Sequence, residues 1–327
     1  MPRIFSTAGL PDVRRIELWE RHNAAALIGL SCHTAASDSL EATELNVQLG
    51  QVHLARVAGS SHVVQRTAAV IGRSPADAIA VYLTLRGDAW FEHDGGTRSL
   101  RPGHVLICDA DRPFARGFAR GLEELAIKVP RSVFTDAGGL TSLRSPVIAD
   151  FARGNDPYAR ALARLVDRAA RPEHAVPADE RTILELVTVL ATGRDADMPM
   201  AYRAAARSFI EAHLPDPGLT AAQVAAAIGI SGRHLSRVFA ADGTSVPRHV
   251  LSRRLQLAHA MLADPASAGR TAADVASRCG FTSATYFYHV FREHFGQRAG
   301  EVRRQAQVSR ELRISAISAP GTGNSSM

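Results

Sequence analysis

Cysteine and lysine are scarce in this sequence of 327 residues: three cysteines stand far apart, and Lys128 is the only lysine. The spacing of Cys32, Cys108 and Cys279 fits neither a disulfide framework nor a metal-binding cluster, so we expect three reduced thiols. No run of about 18 apolar residues occurs, and no membrane span is predicted. Residues 1–15 lack the apolar core of an export signal. We therefore expect a cytoplasmic protein with no membrane partner.

The motifs of common catalytic sites are also missing. The histidines of the first half, His53, His62, His93 and His104, include no His-x-His pair, which disfavours a three-ligand metal centre. No Ser/His/Asp arrangement, glycine-rich phosphate loop or cysteine cluster occurs. The sequence therefore predicts no catalytic residue, no metal site and no cofactor, in a protein that is not an enzyme.

Positive charge is concentrated in the C-terminal third of the chain. Residues 200–313 contain 15 arginines and 8 acidic residues, a net charge of +7, whereas the whole chain carries +6. A basic domain of this kind suits binding to the phosphates of a nucleic acid. The alternative interpretation is that the charge merely keeps the protein in solution.

A repeated pattern in this basic part is the strongest signal in the sequence. Residues 219–243 read LTAAQVAAAIGISGRHLSRVFAADG, and residues 270–296 read RTAADVASRCGFTSATYFYHVFREHFG. Each copy has a capping threonine, a short helix pattern, a turn glycine (Gly229 or Gly280) and a second helix with an apolar stripe at i, i+3, i+4. The repeat predicts two helix-turn-helix motifs, whose second helices can enter the major groove of DNA.

These two motifs, followed by FREHFGQRAGEVR, resemble the C-terminal domain of AraC/XylS-type transcription regulators over about residues 200–304. Arg298-Ala299 stand where that family usually has Ser-Pro. The resemblance implies a sequence-specific regulator that binds double-stranded DNA. In many relatives such a regulator is an activator that responds to a small molecule, with RNA polymerase as a further partner.

The second helix of each motif supplies the candidate DNA contacts. Arg233 and Arg237 are spaced i, i+4 opposite the apolar stripe, with Ser236 beside them, and arginine there can bind guanine through two hydrogen bonds. Ser231 and Ser283 are predicted helix caps whose neighbouring N–H groups can hold phosphates. The other candidates are base contacts implied by the resemblance at Ala284, Thr285 and His289, and phosphate contacts at His234, Arg254 and Arg292. The alternative for all of them is a solvated helix face.

Residues 40–130 alternate short β-rich runs with turn signals such as Asp94-Gly95-Gly96, which predicts a small antiparallel barrel or jelly roll. Over about residues 20–135 the chain resembles the cupin-like sensing domain of part of the same family, through Arg66-Thr67 and the segments VYLTLRGDAWFEHDGG, LRPGHVLICDADRPF and LAIKVPRSVF. A small-molecule effector is therefore expected, with Arg66, Tyr82 and Trp90 as candidate lining residues. The alternatives are a regulator without an effector and a cupin-type metalloenzyme fused to a DNA-binding domain.

Two amphipathic helices are predicted within residues 155–192, where the resemblance implies a homodimer interface; the alternative is that both simply pack on the barrel. The fold class expected is α+β, with an N-terminal cupin-like β-barrel and flanking helices, then a C-terminal all-α domain with two helix-turn-helix motifs. The expected boundaries are 1–192 for the sensing and dimerisation domain, 193–199 for a linker, 200–313 for the DNA-binding domain and 314–327 for a disordered tail.

Overall fold

The structure, a computed structural model, describes residues 3–35, 39–153, 156–171, 178–264, 267 and 269–307. The chain forms two compact units: unit 1, Met1–Ser208, and unit 2, Phe209–Met327. The segment 193–199, expected to be a linker, holds a 3-10 turn at Arg194–Ala196 and the start of a helix at Met198. The units divide inside that helix, because its first half packs into the core of unit 1. The predicted tail, 314–327, lies outside the described residues.

The described part of unit 1 contains two antiparallel β-sheets. Its strands are β1 (Arg3–Ser6), β2 (Ser31–His33), β3 (Ala42–Leu49), β4 (Val52–Gly59), β5 (His62–Arg66), β6 (Ala78–Arg86), β7 (Ala89–His93), β8 (Gly96–Leu100), β9 (His104–Asp109), β10 (Phe114–Phe118), β11 (Leu122–Pro130) and β12 (Val147–Asp150). The larger sheet has the order β1-β3-β4-β11-β6-β9-β12, and the smaller has the order β2-β5-β10-β7-β8. Every pairing between these strands is antiparallel.

The expected β-rich, cupin-like domain is present, and its two sheets form an open sandwich in place of a closed barrel. Among the described residues the edge strands of one sheet do not pair with those of the other, so neither sheet closes on itself. The inner face of the larger sheet packs against the smaller sheet, for example through Tyr82 and Phe91. Its outer face packs against helices through residues such as Leu83. Because both faces of β6 are covered, this strand is a nearly continuous apolar run.

Two local predictions for unit 1, a hairpin and a helix, agree with the structure. The Asp94-Gly95-Gly96 signal joins β7 to β8 with His93 opposite Gly96, so the predicted hairpin is confirmed. The helix expected from Asp12 is also present, whereas the start of the chain, expected to be irregular, forms β1. The helices of unit 1 are α1 (Asp12–Ala26), α2 (Ala68–Arg73), α3 (Arg131–Asp136), α4 (Pro157–Ala169) and α5 (Glu180–Thr192).

The apolar stripes of α4 and α5 face the core of unit 1. Leu162 and Val166 of α4, with Ile183 and Leu186 of α5, are fully buried against the larger sheet. The apolar surface expected at a dimer interface is therefore covered within one chain. Residues 154–155 and 172–177, which border these helices, lie outside the described part.

Unit 2 is helical throughout its described residues. A long helix, α6, enters it from unit 1, and residues 299–307 are helical near the end of the described chain. Pro247 lies in the first turn of the longest helix, which has 18 residues and a length of about 27 Å. The helices are α6 (Met198–His213), α7 (Ala221–Ala227), α8 (Gly232–Ala240), α9 (Val246–Ala263), α10 (Ala272–Arg278) and α11 (Ala284–Phe295).

Candidate nucleic-acid interface and ligand cavity

The first helix-turn-helix consists of α7, a glycine turn and α8. Thr220 and Gln223 form a reciprocal capping box at the start of α7. Gly229 makes the turn with φ 73°, a left-handed conformation that a side chain disfavours. The Ser231 hydroxyl then accepts a hydrogen bond from the His234 N–H at 3.2 Å and caps α8. The predicted start and turn of this motif are confirmed.

The outer face of α8 carries unpaired positive charge. Leu235, Val238 and Phe239 are buried, and this orientation exposes Arg233, Ser236 and Arg237 on the opposite side. In the described part of the chain, no carboxylate lies within 4.0 Å of the guanidinium of Arg233 or Arg237. Both arginines are therefore available to an external anion. His234 is half-buried beside them.

The second helix-turn-helix repeats this construction with α10 and α11. Thr271 and Asp274 exchange hydrogen bonds as a capping box, and the bonds from Thr271 lower the pKa of the Asp274 carboxyl. Gly280 makes the turn with φ 85°. The Ser283 hydroxyl accepts from the Tyr286 N–H at 3.2 Å and caps α11. Phe287, Val290 and Phe291 are buried at the predicted i, i+3, i+4 positions.

The exposed face of α11 differs in character from that of α8. Ala284, Thr285, His289 and Arg292 are all exposed, as the sequence pattern predicts. Sequence reasoning missed Tyr288, whose side chain is 45% exposed on the same side. The spacing contained the signal, because a stripe at 287, 290 and 291 leaves positions 285, 288, 289 and 292 on the opposite face. This face therefore adds an aromatic ring and small side chains to His289 and Arg292, where α8 offers two arginines.

A basic groove runs between α11 and the helical residues 299–307. Its volume is about 450 Å³, and its basic lining includes Arg292, Arg298 and Arg304, all exposed. The Arg298 N–H donates to Glu301 Oε2 at 2.7 Å, so this glutamate caps the last helix in the absence of a serine there. Ala299 is 2% exposed and fills the position where the resembling family has proline.

Arg254 is positioned differently from the expectation. Its guanidinium donates from Nε to the Leu214 carbonyl at 3.0 Å and from Nη2 to the Asp216 carbonyl at 2.5 Å. The predicted phosphate contact is therefore not what this geometry favours, because the side chain holds the loop that follows α6. The neighbouring Arg253 is buried and pairs with the buried carboxylate of Glu211. Both arginines stabilise the helical core of unit 2.

A small cavity lies between the two sheets of unit 1. Its volume is about 40 Å³, room for about two or three water molecules. Trp19 and Asn23 of α1 cover one side, and apolar side chains such as Phe118 form most of the wall. Besides Asn23, the polar side chains of the lining are His62, Tyr82, Arg116, Glu124 and Lys128.

Arg116 is the central polar residue of this cavity. It is 2% exposed, and its two terminal nitrogens donate to Glu124 at 3.0 and 2.6 Å. The guanidinium carbon lies 3.8 Å from the centre of the Tyr82 ring, a cation–π contact. Burial raises the pKa of the Tyr82 hydroxyl, so it stays protonated. Burial also lowers the pKa of His62, which leaves that imidazole neutral at neutral pH.

Of the three predicted lining residues, the structure brings only Tyr82 to the cavity. Arg66 is fully buried, and its guanidinium is occupied by hydrogen bonds within the protein. It donates to the carbonyls of Gly29, Ser74 and Ala110 and to the Asp111 carboxylate. Trp90 lies on the other face of β7, where its indole packs over Gly117. Sequence reasoning missed Arg116, although its alternation with Phe114 and Phe118 indicates an inward position.

The described residues form neither a cluster of metal-ligating side chains nor a membrane-spanning helix. There, no three His, Cys, Asp or Glu side chains come together as a possible metal site. In the same part of the chain every helix is too short or too polar to cross a bilayer. The three cysteines are buried, unpaired thiols, as predicted.

Comparison with known proteins yields matches to both units. A profile of helix-turn-helix domains matches residues 224–305, and a profile of AraC-binding-like domains matches residues 19–193, more than half of the chain. The chain is 24% identical over 276 residues to the transcriptional activator NphR of Rhodococcus sp, covering 78% of each. It is 30% identical over 113 residues to the transcriptional activator RhrA of Rhizobium meliloti, covering 35% of this chain and 36% of that protein. The crystal structure of the AraC-like transcriptional activator CuxR covers 77% of this chain and 94% of its own, at 22% identity and a TM-score of 0.47.

Proposed function

Because the chain belongs to the AraC-type family of transcription regulators, we propose that it activates transcription at specific DNA sequences in response to a small molecule. The observation that carries this proposal is the pair of helix-turn-helix motifs, each with a capped second helix and an exposed polar face. Recognition helices of this kind read base edges in the major groove.

The exposed side chains divide into base contacts and phosphate contacts. Arg233 and Arg237 of α8, with Ser236 between them, are proposed to read guanine. Ala284 and Thr285 of α11 are proposed to contact thymine methyl groups, with His289 beside them. Phosphate contacts are proposed at the capped starts of both helices, Ser231 and Ser283, at His234, and along the basic groove at Arg292, Arg298 and Arg304.

A selection from random DNA duplexes tests the proposal directly. The full chain should enrich one sequence, with a guanine in the half bound by α8. Arg237→Ala should then weaken binding to the selected duplex by about 1–3 kcal/mol, or about 5- to 140-fold. Because Arg237 is exposed and unpaired within the described chain, the free energy of unfolding should change by less than about 0.5 kcal/mol.

Arg237→Lys is the matched control for this experiment. Lysine keeps the positive charge but loses the planar fork that binds guanine, so base discrimination should fall while the salt dependence of binding stays the same. Two results together would show that Arg237 contacts phosphate and not a base. Arg237→Lys would keep full affinity, and Arg237→Ala would reduce the slope of log affinity against log salt by about 0.9. Failure to enrich any duplex at low salt would refute the proposed function.

The effector is proposed to bind in the cavity between the sheets. Support comes from its position inside the AraC-binding-like domain and from its apolar wall with a few polar groups. Binding there would act by shifting the populations of states that engage DNA differently. A transcription assay with purified RNA polymerase, the selected duplex and candidate effectors tests this part. Transcript levels that never respond to the protein would contradict activation.

A homodimer through residues 155–192 and a cytoplasmic location remain part of the proposal. Since the apolar stripes of α4 and α5 are covered within one chain, a dimer would use their outward polar side, which includes the exposed Arg164 and Arg181. Sedimentation equilibrium measures the mass directly. We expect a dimer that Arg164→Glu with Arg181→Glu converts to a monomer, whereas a monomeric starting protein would contradict this interface.

A further inference from the structure

The cavity between the sheets has hydrogen-bond donors without acceptors in the described protein, and it has more basic than acidic side chains in its wall. Two basic side chains line it, Arg116 and Lys128, but Glu124 is the only carboxylate in the wall. His62 adds no charge, because burial lowers its pKa and its Nδ1 lies 2.7 Å from the Ser60 carbonyl, to which it donates. Arg116 is buried and Lys128 is half-buried, and an excess of positive charge in such a site is costly unless an anion joins it.

Arg116 contributes the first unused donor. Its terminal nitrogens are both occupied by Glu124, but its Nε is buried and has no acceptor among the described residues. Buried polar groups are nearly always paired, so an orphaned N–H in a cavity wall points to a missing partner. The adjacent Tyr82 hydroxyl also makes no hydrogen bond within the described chain.

Lys128 contributes the second unused donor. It lies on β11 on the same face as Glu124 and Ala126, which turns its side chain into the space between the sheets. No described carboxylate lies within 4.0 Å of its ammonium group. Burial lowers the pKa of this lysine, and an anion beside it would reverse that effect.

The rest of the wall limits what the anion can be. Leu27, Ile28, Val57 and Leu122 are apolar, as is most of the lining, so a fully hydrated polar anion would lose its water without compensation. The cavity is also small, about 40 Å³. The occupant therefore combines one compact anionic group with a small apolar body.

We propose that this cavity binds a small organic monocarboxylate, whose carboxylate accepts from the unused donors of Arg116, Lys128 and Tyr82. The inference deepens the proposed function, since it names the chemical class of the effector at the same site. It requires only that the cavity bind such a ligand, so it is tested without reference to transcription.

The fluorescence of Trp19 can report ligand binding in the cavity. It lines the cavity, whereas Trp90, the other tryptophan, does not, so a Trp90→Phe protein reports on the cavity alone. The probes are acetate and propionate, each compared with its amide and with an amine of the same carbon skeleton, because a cavity of about 40 Å³ admits a ligand of only a few heavy atoms. We expect at least one carboxylate to shift the emission of Trp19 saturably and to bind at least about tenfold more tightly than its amide and amine.

Variants separate the proposed contacts from general effects. Lys128→Met should weaken carboxylate binding by about tenfold and leave amide binding unchanged, and Lys128→Arg should restore it. Arg101→Met, which removes an exposed charge of unit 1 outside the cavity, should have no effect.

Three outcomes would overturn the inference: no carboxylate shifts Trp19 at millimolar concentrations, amides or amines bind as tightly, or Lys128→Met leaves carboxylate affinity unchanged. A gel shift with the same preparation keeps this failure distinct from failure of the proposed function. Protein that binds its selected duplex but no carboxylate refutes the effector class alone.

Discussion

The turn glycines of the two helix-turn-helix motifs differ in one measurable respect. Gly229 and Gly280 occupy equivalent positions with left-handed φ angles of 73° and 85°. A Cβ at Gly229 would meet no atom within 4 Å, whereas a Cβ at Gly280 would lie 2.6 Å from the Leu214 carbonyl oxygen and 2.9 Å from the Arg254 guanidinium. We therefore expect Gly280→Ala to destabilise unit 2 much more than Gly229→Ala.

The expected difference follows from the contacts at Gly280. Placing any side chain in the left-handed conformation costs about 1–2 kcal/mol, and this cost is common to both variants. Gly280→Ala must in addition displace Arg254 from the Leu214 carbonyl, which now accepts its Nε–H at 3.0 Å. A hydrogen bond from a charged donor contributes about 1.5–3 kcal/mol. The free energy of unfolding should fall by about 1–2 kcal/mol for Gly229→Ala and by about 2.5–5 kcal/mol for Gly280→Ala.

Urea unfolding followed by two signals measures this difference. Both tryptophans, Trp19 and Trp90, belong to unit 1, so tryptophan fluorescence reports that unit. Far-UV circular dichroism reports both units, because each contains several helices, so the part of the dichroism transition that fluorescence does not follow reports unit 2. The dichroism transition should shift to lower urea in both variants, and further for Gly280→Ala, while the fluorescence transition stays in place.

Equal losses in the two variants would refute this reasoning. They would mean that the Arg254 contact with Leu214 contributes nothing, or that the turn yields without cost. A fluorescence shift as large as the dichroism shift would show that the effect is not confined to unit 2.

Three further results are expected. Arg253→Met removes the guanidinium paired with the buried Glu211, so the dichroism transition should lose about 3–5 kcal/mol, and a loss below about 1 kcal/mol would contradict a buried ion pair. Burial lowers the pKa of His62 below its usual 6.5, so the unfolded chain binds a proton that folded unit 1 excludes. The fluorescence-monitored stability should therefore fall as the pH drops below about 6.5, and His62→Gln should flatten this fall. Burial raises the pKa of Cys32, Cys108 and Cys279 to about 12, so a thiol reagent should label all three in denaturant and none in the folded protein; rapid labelling without denaturant would be inconsistent with these burials.

Local patterns predicted unit 2 closely. The caps at Thr220 and Thr271, the glycine turns and the buried stripes of α8 and α11 all lie where the sequence indicates. Each of these features depends on residues within a few positions of one another, and helical periodicity alone defines which side is buried. The exposed positions of Arg233 and Arg237 follow from the same periodicity.

Such local patterns do not predict which residues each side chain contacts. Arg253 and Arg254 are adjacent in the sequence, yet one pairs with Glu211 and the other holds the Leu214 carbonyl. Each partner lies about forty positions away along the chain, and only the packing of α9 against α6 and the loop after it brings them together. The same limit applies to Arg66, whose four acceptors come from three separate segments of the chain.

The sequence by itself determined the class of fold, the paired reading helices and the side of each helix that faces solvent, because these depend on short-range spacing and on apolar periodicity. Only the tertiary structure decided that the sandwich stays open, that α4 and α5 cover its outer face, and that Arg116 and Lys128 share a cavity. The alternation along a strand predicts which face a side chain lies on. The charged groups and donors that it contacts there belong to strands far away in the sequence, so only the pairing of those strands determines them.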